Sequence, residues 1–302
     1  MKYQPKTDMP LLDCLAILYP DSPRKRLKQL VAEKRVWVYG ELAKIPGMIV
    51  KCGTPVEIRR ERFVSRNLPN VGIIYEDEHL LVADKKEQFL SVATDREKEK
   101  TAFHQILHYL GQKDTNARLF VVHRLDFGTS GLMLFAKSEE IREKLKDLFA
   151  HHTIQRHYRA LVEGHMHPEE GSLQNRLAES QTLRVYVSKN PKIGKHAITH
   201  YKVWKKGKTR SLLDVRLETG RRGQIRVQLA NAGHPVVGDR EHGAGEDAGS
   251  CLVGRLCLHA HRLEFKHPVT GKLMMMESKM PASFLSFLNH PEIRERERSL
   301  RA

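Results

Sequence analysis

Four segments of this chain alternate apolar and polar residues with the two-residue period of a half-buried β-strand. They are RHYRALVEG from Arg156, HAITHYKVWK from His196, SLLDVRLET from Ser211 and RLCLHAHRLEF from Arg255. A fifth stretch, VGIIYEDEHLLVADK from Val71, has two apolar runs around Glu76-Asp77-Glu78 and predicts a hairpin. Strands spaced this way join through turns and pair antiparallel, whereas parallel neighbours need a long crossover. Helices interrupt the strands rather than alternate with them. Ser138 is placed to cap EEIREKLKDLFAHH, whose apolar stripe is Ile141, Leu145, Leu148 and Phe149. RRGQIRVQLANAG reads as a helix closed by Gly233. Residues 95–113 read as partly helical, with Ala102, Phe103, Ile106, Leu107 and Leu110 on one face. The fold class that follows is α+β, a mostly antiparallel mixed sheet with flanking helices.

The N-terminal part has a different character. The chain has 302 residues, enough for about two domains. Its formal charge is +16, and residues 1–66 carry 14 Lys and Arg against 7 Asp and Glu, a net +7. In DSPRKRLKQLVAEK, Ser22 is placed to cap a helix and Pro23 to open it. Leu27, Leu30 and Val31 share a buried face, and Arg24, Lys25 and Lys28 project elsewhere. RVWVYG runs as a strand into a turn at Gly40, and GTPVEIRR gives a second short strand. A charged helix face is commonly just solvated; the local excess of positive charge favours RNA contact here. The expected division is residues 1–60 as a small basic α/β RNA-binding domain, 61–70 as a linker, 71–290 as the main domain and 291–302 as a charged tail.

Several chemistries lack an anchor. No run of about 18 apolar residues is present to cross a membrane, and MKYQPKTDMPLLD lacks the apolar core of a secretory signal. Cys14, Cys52, Cys251 and Cys257 make no C-x-x-C pair, which fits a reduced, cytoplasmic setting. GTSGL lacks the second glycine of G-x-S-x-G, GAGEDAG misses the dinucleotide spacing, and no P-loop occurs. Cys257, His259 and His261 alternate along a strand with no companion cluster, so buried strand residues are expected there rather than a metal site.

What remains is Asp126, in VVHRLDFGTSGLMLFAK, between a strand at Val121-Val122 and another over Gly131–Phe135. Polar turns at strand ends are where rigid folds mount reactive groups, although a hairpin with a capping Asp is the plain alternative. A lone Asp can serve as nucleophile or base if a cation holds it ionised. Arg226 could be that cation, and Tyr158 offers a flat face and a hydroxyl. Periodicity alone leaves open whether the three meet.

HRLDFGTSGLMLFAK resembles the signature of the RluA-type RNA pseudouridine synthases: HRLD, two variable residues, TSGL and an AK ending. IIYEDEHLLVADK resembles that family's opening hairpin, and RHYRALVEG its tyrosine strand, with Arg156 where Lys is common. LETGRRGQIRVQLANAGHPVVGD resembles its arginine segment and LCLHAHRLEFKHPVTGK its closing strand, so the likeness runs in order over roughly residues 71–288. Residues 9–60 resemble the small RNA-binding domain shared with a small-subunit ribosomal protein, with Tyr39 where Asn is usual before Gly40.

The resemblance implies conversion of uridine to pseudouridine in structured RNA, ribosomal RNA before transfer RNA. It implies that Asp126 is the essential carboxylate, that Tyr158 packs against the base, that Arg226 pairs with the Asp, and that Arg124 enters the RNA stack. No cofactor or metal is implied, and a cytoplasmic monomer without a membrane partner is the expected setting. DKKEQFL replaces the usual DKPxGL turn, Phe127-Gly128 replaces a frequent Arg-Asp pair, and Gly223 and Gln228 stand where His is common. These departures bear on loop shape and RNA contacts. The rival expectation is a catalytically silent RNA-binding or assembly protein on the same scaffold.

Overall fold

A computed structural model describes residues 2–59, 68–243 and 254–289. Cys251, the charged tail and most of the expected linker lie outside the described residues. The described residues divide into two compact units, one of residues 2–59 and 108–117, the other of residues 68–107, 118–243 and 254–289.

The N-terminal elements are β1 (Lys2–Tyr3), β2 (Met9–Pro10), α1 (Leu11–Leu18), α2 (Arg24–Ala32), β3 (Val36–Val38), β4 (Glu41–Leu42), β5 (Ile49–Val50) and β6 (Val56–Ile58). One sheet runs β1-β6-β3-β4, and β2 pairs with β5. Leu27, Leu30 and Val31 of α2 are buried with Leu11 and Leu15 of α1 and Val36, Val38 and Val56 of the sheet. The helix starts one residue later than expected. Pro23 is its N-cap residue, at φ −58° and ψ 144°, and Ser22 makes no capping bond. The Ser22 N–H instead donates to the Tyr19 carbonyl, which holds that residue in the preceding turn. Tyr39 and Gly40 take left-handed φ values of 52° and 78°, so the β3–β4 turn has the backbone an Asn-Gly pair would give, with Tyr carrying the strain.

The remaining elements are β7 (Val71–Glu76), β8 (Leu80–Lys85), α3 (Ala102–Gly111), β9 (Phe120–Val121), β10 (Ser130–Ala136), α4 (Glu139–Ala150), β11 (Gln155–Glu163), β12 (Glu170–Glu179), β13 (Val185–Ser188), β14 (Lys195–Lys206), β15 (Arg210–Leu217), α5 (Gln224–Asn231), β16 (Leu258–Lys266), β17 (Leu273–Glu277) and α6 (Ser283–Asn289). The large sheet runs β13-β12-β14-β15-β11-β16-β10-β8-β7, with β17 on β16 and β9 on β10. The β10–β16 pair is parallel and the other pairs in this sheet are antiparallel, which is the α+β architecture expected. Asp77 closes the first hairpin by accepting from the N–H groups of His79 and Leu80, both at 2.8 Å. Ser138 caps α4 by accepting from the Ile141 N–H. Leu132 and Leu134 of β10 pack with Leu80, Val82, Ile141 and Leu145.

The sheet splits at its one parallel junction. Strand β10 pairs with β16 only at Ser130 and Gly131. Farther along the same edge its partners are His123, whose Nε2 accepts from the Leu134 N–H, and then β9. The segment 122–129 therefore fills the place where β10 and β16 part. Gly131 permits the junction: it has φ 111°, and a Cβ there would lie 2.2 Å from the Ala260 carbonyl oxygen.

Candidate active site

Asp126 sits in the segment that fills this split, and its neighbours are pinned on both sides. The Ser91 hydroxyl donates to the Leu125 carbonyl at 2.6 Å and accepts from the Leu125 N–H at 3.1 Å. The buried Lys85 ammonium donates to the carbonyls of Lys86, Phe89 and Phe127 at 2.9, 2.7 and 3.4 Å. Its burial lowers the Lys85 pKa to about 8, partly offset by the charge of Asp126. The Thr129 N–H returns to the Asp126 carbonyl at 3.1 Å and closes the turn. Gln88 takes φ 51° where Gly is usual, and its amide donates to the Gly254 carbonyl at 2.6 Å.

Arg226 comes from α5, a helix buried on most sides through Gln224, Ile225, Val227, Gln228 and Leu229. Gly223 opens it with φ 59°. The Gln228 amide is fully engaged, donating to the carbonyls of Leu173 and Ala197 while its oxygen accepts from the Thr199 hydroxyl. Arg226 is therefore held on a fixed frame rather than solvated. Its Nη1 lies 3.6 Å from Asp126 Oδ2. The other side of the guanidinium is gripped by Asp239, with Nε to Oδ2 at 2.7 Å and Nη2 to Oδ1 at 2.6 Å, and by Glu241 at 3.0 Å. Burial alone would lower the Arg226 pKa; the bonds and charge of Asp239 outweigh it and raise it. Asp239, only 2% exposed, is held ionised by the same pair against the effect of its burial.

Tyr158 stands on β11, buried on the same face as Ala160 and Val162. Burial pushes its hydroxyl pKa up, so the phenol stays protonated. Asp126, Tyr158 and Arg226 line one cavity of about 750 Å³, bounded also by Arg124, Arg156, Leu217 and the 220–225 connection. The structure thus brings the three sequence-derived candidates together, with exposed Arg124 among the lining groups. Arg24, Lys25 and Lys28 belong to the N-terminal unit and are exposed on α2, where Arg24 pairs with Asp13 at 2.9 Å.

Asp126 and Glu179 are the carboxylates that line the cavity, and Glu179 faces Arg222 at 3.7 Å. No group of three or more His, Cys, Asp or Glu side chains among the described residues is placed to hold a metal ion. Cys257, just before β16, and His259 on it are both buried, and His259 bonds the Ser130 hydroxyl at 2.9 Å. Sequence reasoning missed Asp239, Lys85 and Ser91. Asp239 lay in plain sight at the end of GHPVVGD, but nothing local links it to Arg226.

Comparison with known proteins identifies the family. The profile of a family described as RNA pseudouridylate synthase matches residues 79–231. The "Ribosomal large subunit pseudouridine synthase D" of Pasteurella multocida is 34% identical over 289 residues, covering 91% of this chain and 88% of that protein. The protein of the same name from Escherichia coli K12 is 32% identical with the same coverage. Among solved structures, human RNA pseudouridylate synthase domain containing 4 aligns with a TM-score of 0.59 at 20% identity, over 71% of this chain and 90% of that one. Human RNA pseudouridylate synthase domain containing 1 aligns with a TM-score of 0.57 at 23% identity, over 77% and 95%. These two share the fold. By its matched profile and by relatives covered over nearly their whole length, this chain belongs to the RNA pseudouridylate synthase family and is an RNA pseudouridine synthase.

Proposed function

We propose that this enzyme acts on uridines of large-subunit ribosomal RNA, with Asp126 as the reacting carboxylate. The observation that carries the site assignment is the aim of Arg226: Asp239 holds one side of its fork, and Nη1 faces Asp126 across 3.6 Å in the cavity that Tyr158 lines. The relatives from Pasteurella multocida and Escherichia coli, both named for the large ribosomal subunit, support the choice of RNA.

A uridine in folded RNA must leave its stack before any of these groups can reach it, at a cost of a few kcal/mol. Arg124, exposed on the same segment as Asp126, is positioned to fill the vacated gap. Tyr158 presents its ring to the extruded base. The base must leave its sugar, turn over and rejoin through carbon-5. One carboxylate can drive this by attacking the sugar, attacking the base or removing a sugar proton, and each route needs Asp126 ionised and fixed against the nucleotide. The pinning of Leu125 and Phe127 supports that fixity. Arg24, Lys25 and Lys28 add phosphate contacts from the N-terminal domain, in line with its net +7. The same reading makes the enzyme a cytoplasmic monomer without a membrane partner.

The test uses transcripts of large-subunit ribosomal RNA carrying tritium at uridine carbon-5, because rejoining through that carbon expels the label. The wild type should release tritium. Asp126→Asn and Asp126→Ala should release none while binding the same RNA within about twofold, since affinity rests on many phosphate contacts. Release by either variant overturns the role of Asp126. Release from transfer RNA alone overturns the choice of RNA.

A further inference from the structure

Arg156 is a buried cation to which the reaction above gives no part. It stands two residues before Tyr158 on β11 and lines the same cavity. It is 8% exposed. Its guanidinium carbon lies 5.3 Å from the ring centre of Phe149, within cation–π range. It also passes close over Gly220, where a Cβ would meet Nη1 at 2.3 Å. Its buried Nε has no hydrogen-bond partner, and among the described residues no carboxylate pairs with it. The other basic groups here are engaged or exposed. Arg226 is held by Asp239, Arg222 faces Glu179, Arg221 donates to the His196 carbonyl, and Arg124 is open to solvent. His123 is not a cation, since its Nε2 accepts from the Leu134 N–H and so carries no proton. A buried charge without a counter-ion is costly to the fold, and a ligand that brings the missing negative charge offsets that cost.

We infer that Arg156 contacts the uracil once it has left its sugar and stabilises the negative charge that the base then carries. This rests on the reaction proposed above. When the C1′–N1 bond breaks, its electron pair stays on N1 and spreads onto O2 and O4. On the two routes in which Asp126 acts on the sugar, C1′ is closed either by the Asp126 carboxylate or by loss of the C2′ proton to Asp126. The base turns and C5 bonds to C1′, displacing the carboxylate or with the C2′ proton returned. The C5 proton then leaves and N1 gains one. Uracil is neutral at both ends of this sequence and anionic between them. A fixed, uncancelled guanidinium therefore favours the intermediate over the bound substrate, which lowers the barrier without tightening RNA binding.

The experiment compares the full-length wild type with Arg156→Gln, Arg156→Lys and Gly220→Ala. Tritium release is followed under single-turnover conditions at saturating enzyme, with filter binding at several salt concentrations and thermal melting alongside. Arg156→Gln should slow release by about 100-fold or more, the usual loss for one preorganised donor, with RNA affinity and its salt slope unchanged. Arg156→Lys, which keeps the charge, should stay within about tenfold of the wild type. Gly220→Ala should also slow release, because its methyl group pushes the guanidinium aside. A rate for Arg156→Gln within about threefold of the wild type overturns the inference. So does weaker binding with a flatter salt slope at an unchanged saturated rate, which would make Arg156 a phosphate contact. Equal losses of rate and melting temperature in the Gln and Lys variants would assign it to packing alone. Absence of release by the wild type overturns the reaction itself, and this inference with it.

Discussion

Asp239→Asn should disable the enzyme without touching any group that faces the nucleotide. The carboxylate is almost fully buried and makes two short charge-assisted bonds to Arg226, at 2.7 and 2.6 Å. It also accepts from the N–H groups of Glu241 and His242. Removing one partner of a buried pair costs about 3–5 kcal/mol. Asn keeps the shape and one acceptor, so the low end, about 3 kcal/mol, is expected. Its amide N–H₂ would also point at a guanidinium. At roughly 2–4 °C per kcal/mol for a domain of this size, melting should fall by about 6–12 °C. Arg226, released on that side, is drawn towards Asp126. At the present 3.6 Å the attraction is on the order of 4–5 kcal/mol at an effective dielectric of about 20. A closed Asp126–Arg226 pair occupies the carboxylate, so single-turnover tritium release should drop by about 100-fold while RNA affinity holds. Glu241→Gln, at a half-exposed contact, should cost under about 1 kcal/mol and leave the rate within a few-fold. If Asp239→Asn melts and turns over like the wild type, Asp239 does not orient Arg226.

Two further outcomes follow from other parts of the molecule. Replacing Arg24, Lys25 and Lys28 together by Gln should weaken RNA binding and reduce the log–log salt slope by about 2, at roughly 0.7–0.9 for each phosphate no longer neutralised. Arg24 counts for less because Asp13 already pairs with it; an unchanged slope would mean that this helix does not meet RNA. His259 gives a pH dependence. Burial lowers its pKa from 6.5 to about 4, and its Nδ1 accepts from the Ser130 hydroxyl, which also accepts from Arg255. The unfolded chain takes up this proton first as pH falls. The stability contribution is therefore complete above about pH 6.5 and lost on the way down to pH 4, by roughly 3 kcal/mol. Denaturant titrations from pH 7 to 4 should show a flatter acid limb for His259→Asn, and parallel limbs would contradict this assignment.

The strands that the sequence revealed are those with one apolar face against the core. β11, β14, β15 and β16 alternate over part of their length, and that period placed them, although Ala160–Val162 of β11, Arg210–Leu213 of β15 and Leu258–Ala260 of β16 are buried without alternation. β12 and β13 escaped notice because β12 is half-exposed along most of its length, with Leu177 and Ala178 as its buried residues, so its alternation carries little apolar signal. β1 and β2 are two residues each, too short for any period. Val122, expected to end a strand, lies beyond β9, because the chain leaves the ladder there to fill the split beside β10. Within the site, Asp126 stood out as a charge in a turn between apolar runs, and Tyr158 by its place on an alternating strand. Asp239 did not. Its pairing with Arg226 arises only when the loop after α5 folds back, and no helical or strand spacing encodes that return. Lys85 was hidden in the opposite way. It ends an apolar strand, where a Lys is normally solvated, and only the tertiary structure shows its ammonium taking three carbonyls beside Asp126.

The most direct measurement is a map of pseudouridine in the large-subunit ribosomal RNA of the source cells. Three strains are compared: one with this protein, one without it, and one in which Asp126→Asn replaces it at equal abundance. One or a few defined pseudouridines should be present with the wild type and revert to uridine in the other two strains. Identical maps in all three strains would contradict the choice of RNA, and a wild-type map in the Asp126→Asn strain would contradict the assignment of the reacting carboxylate.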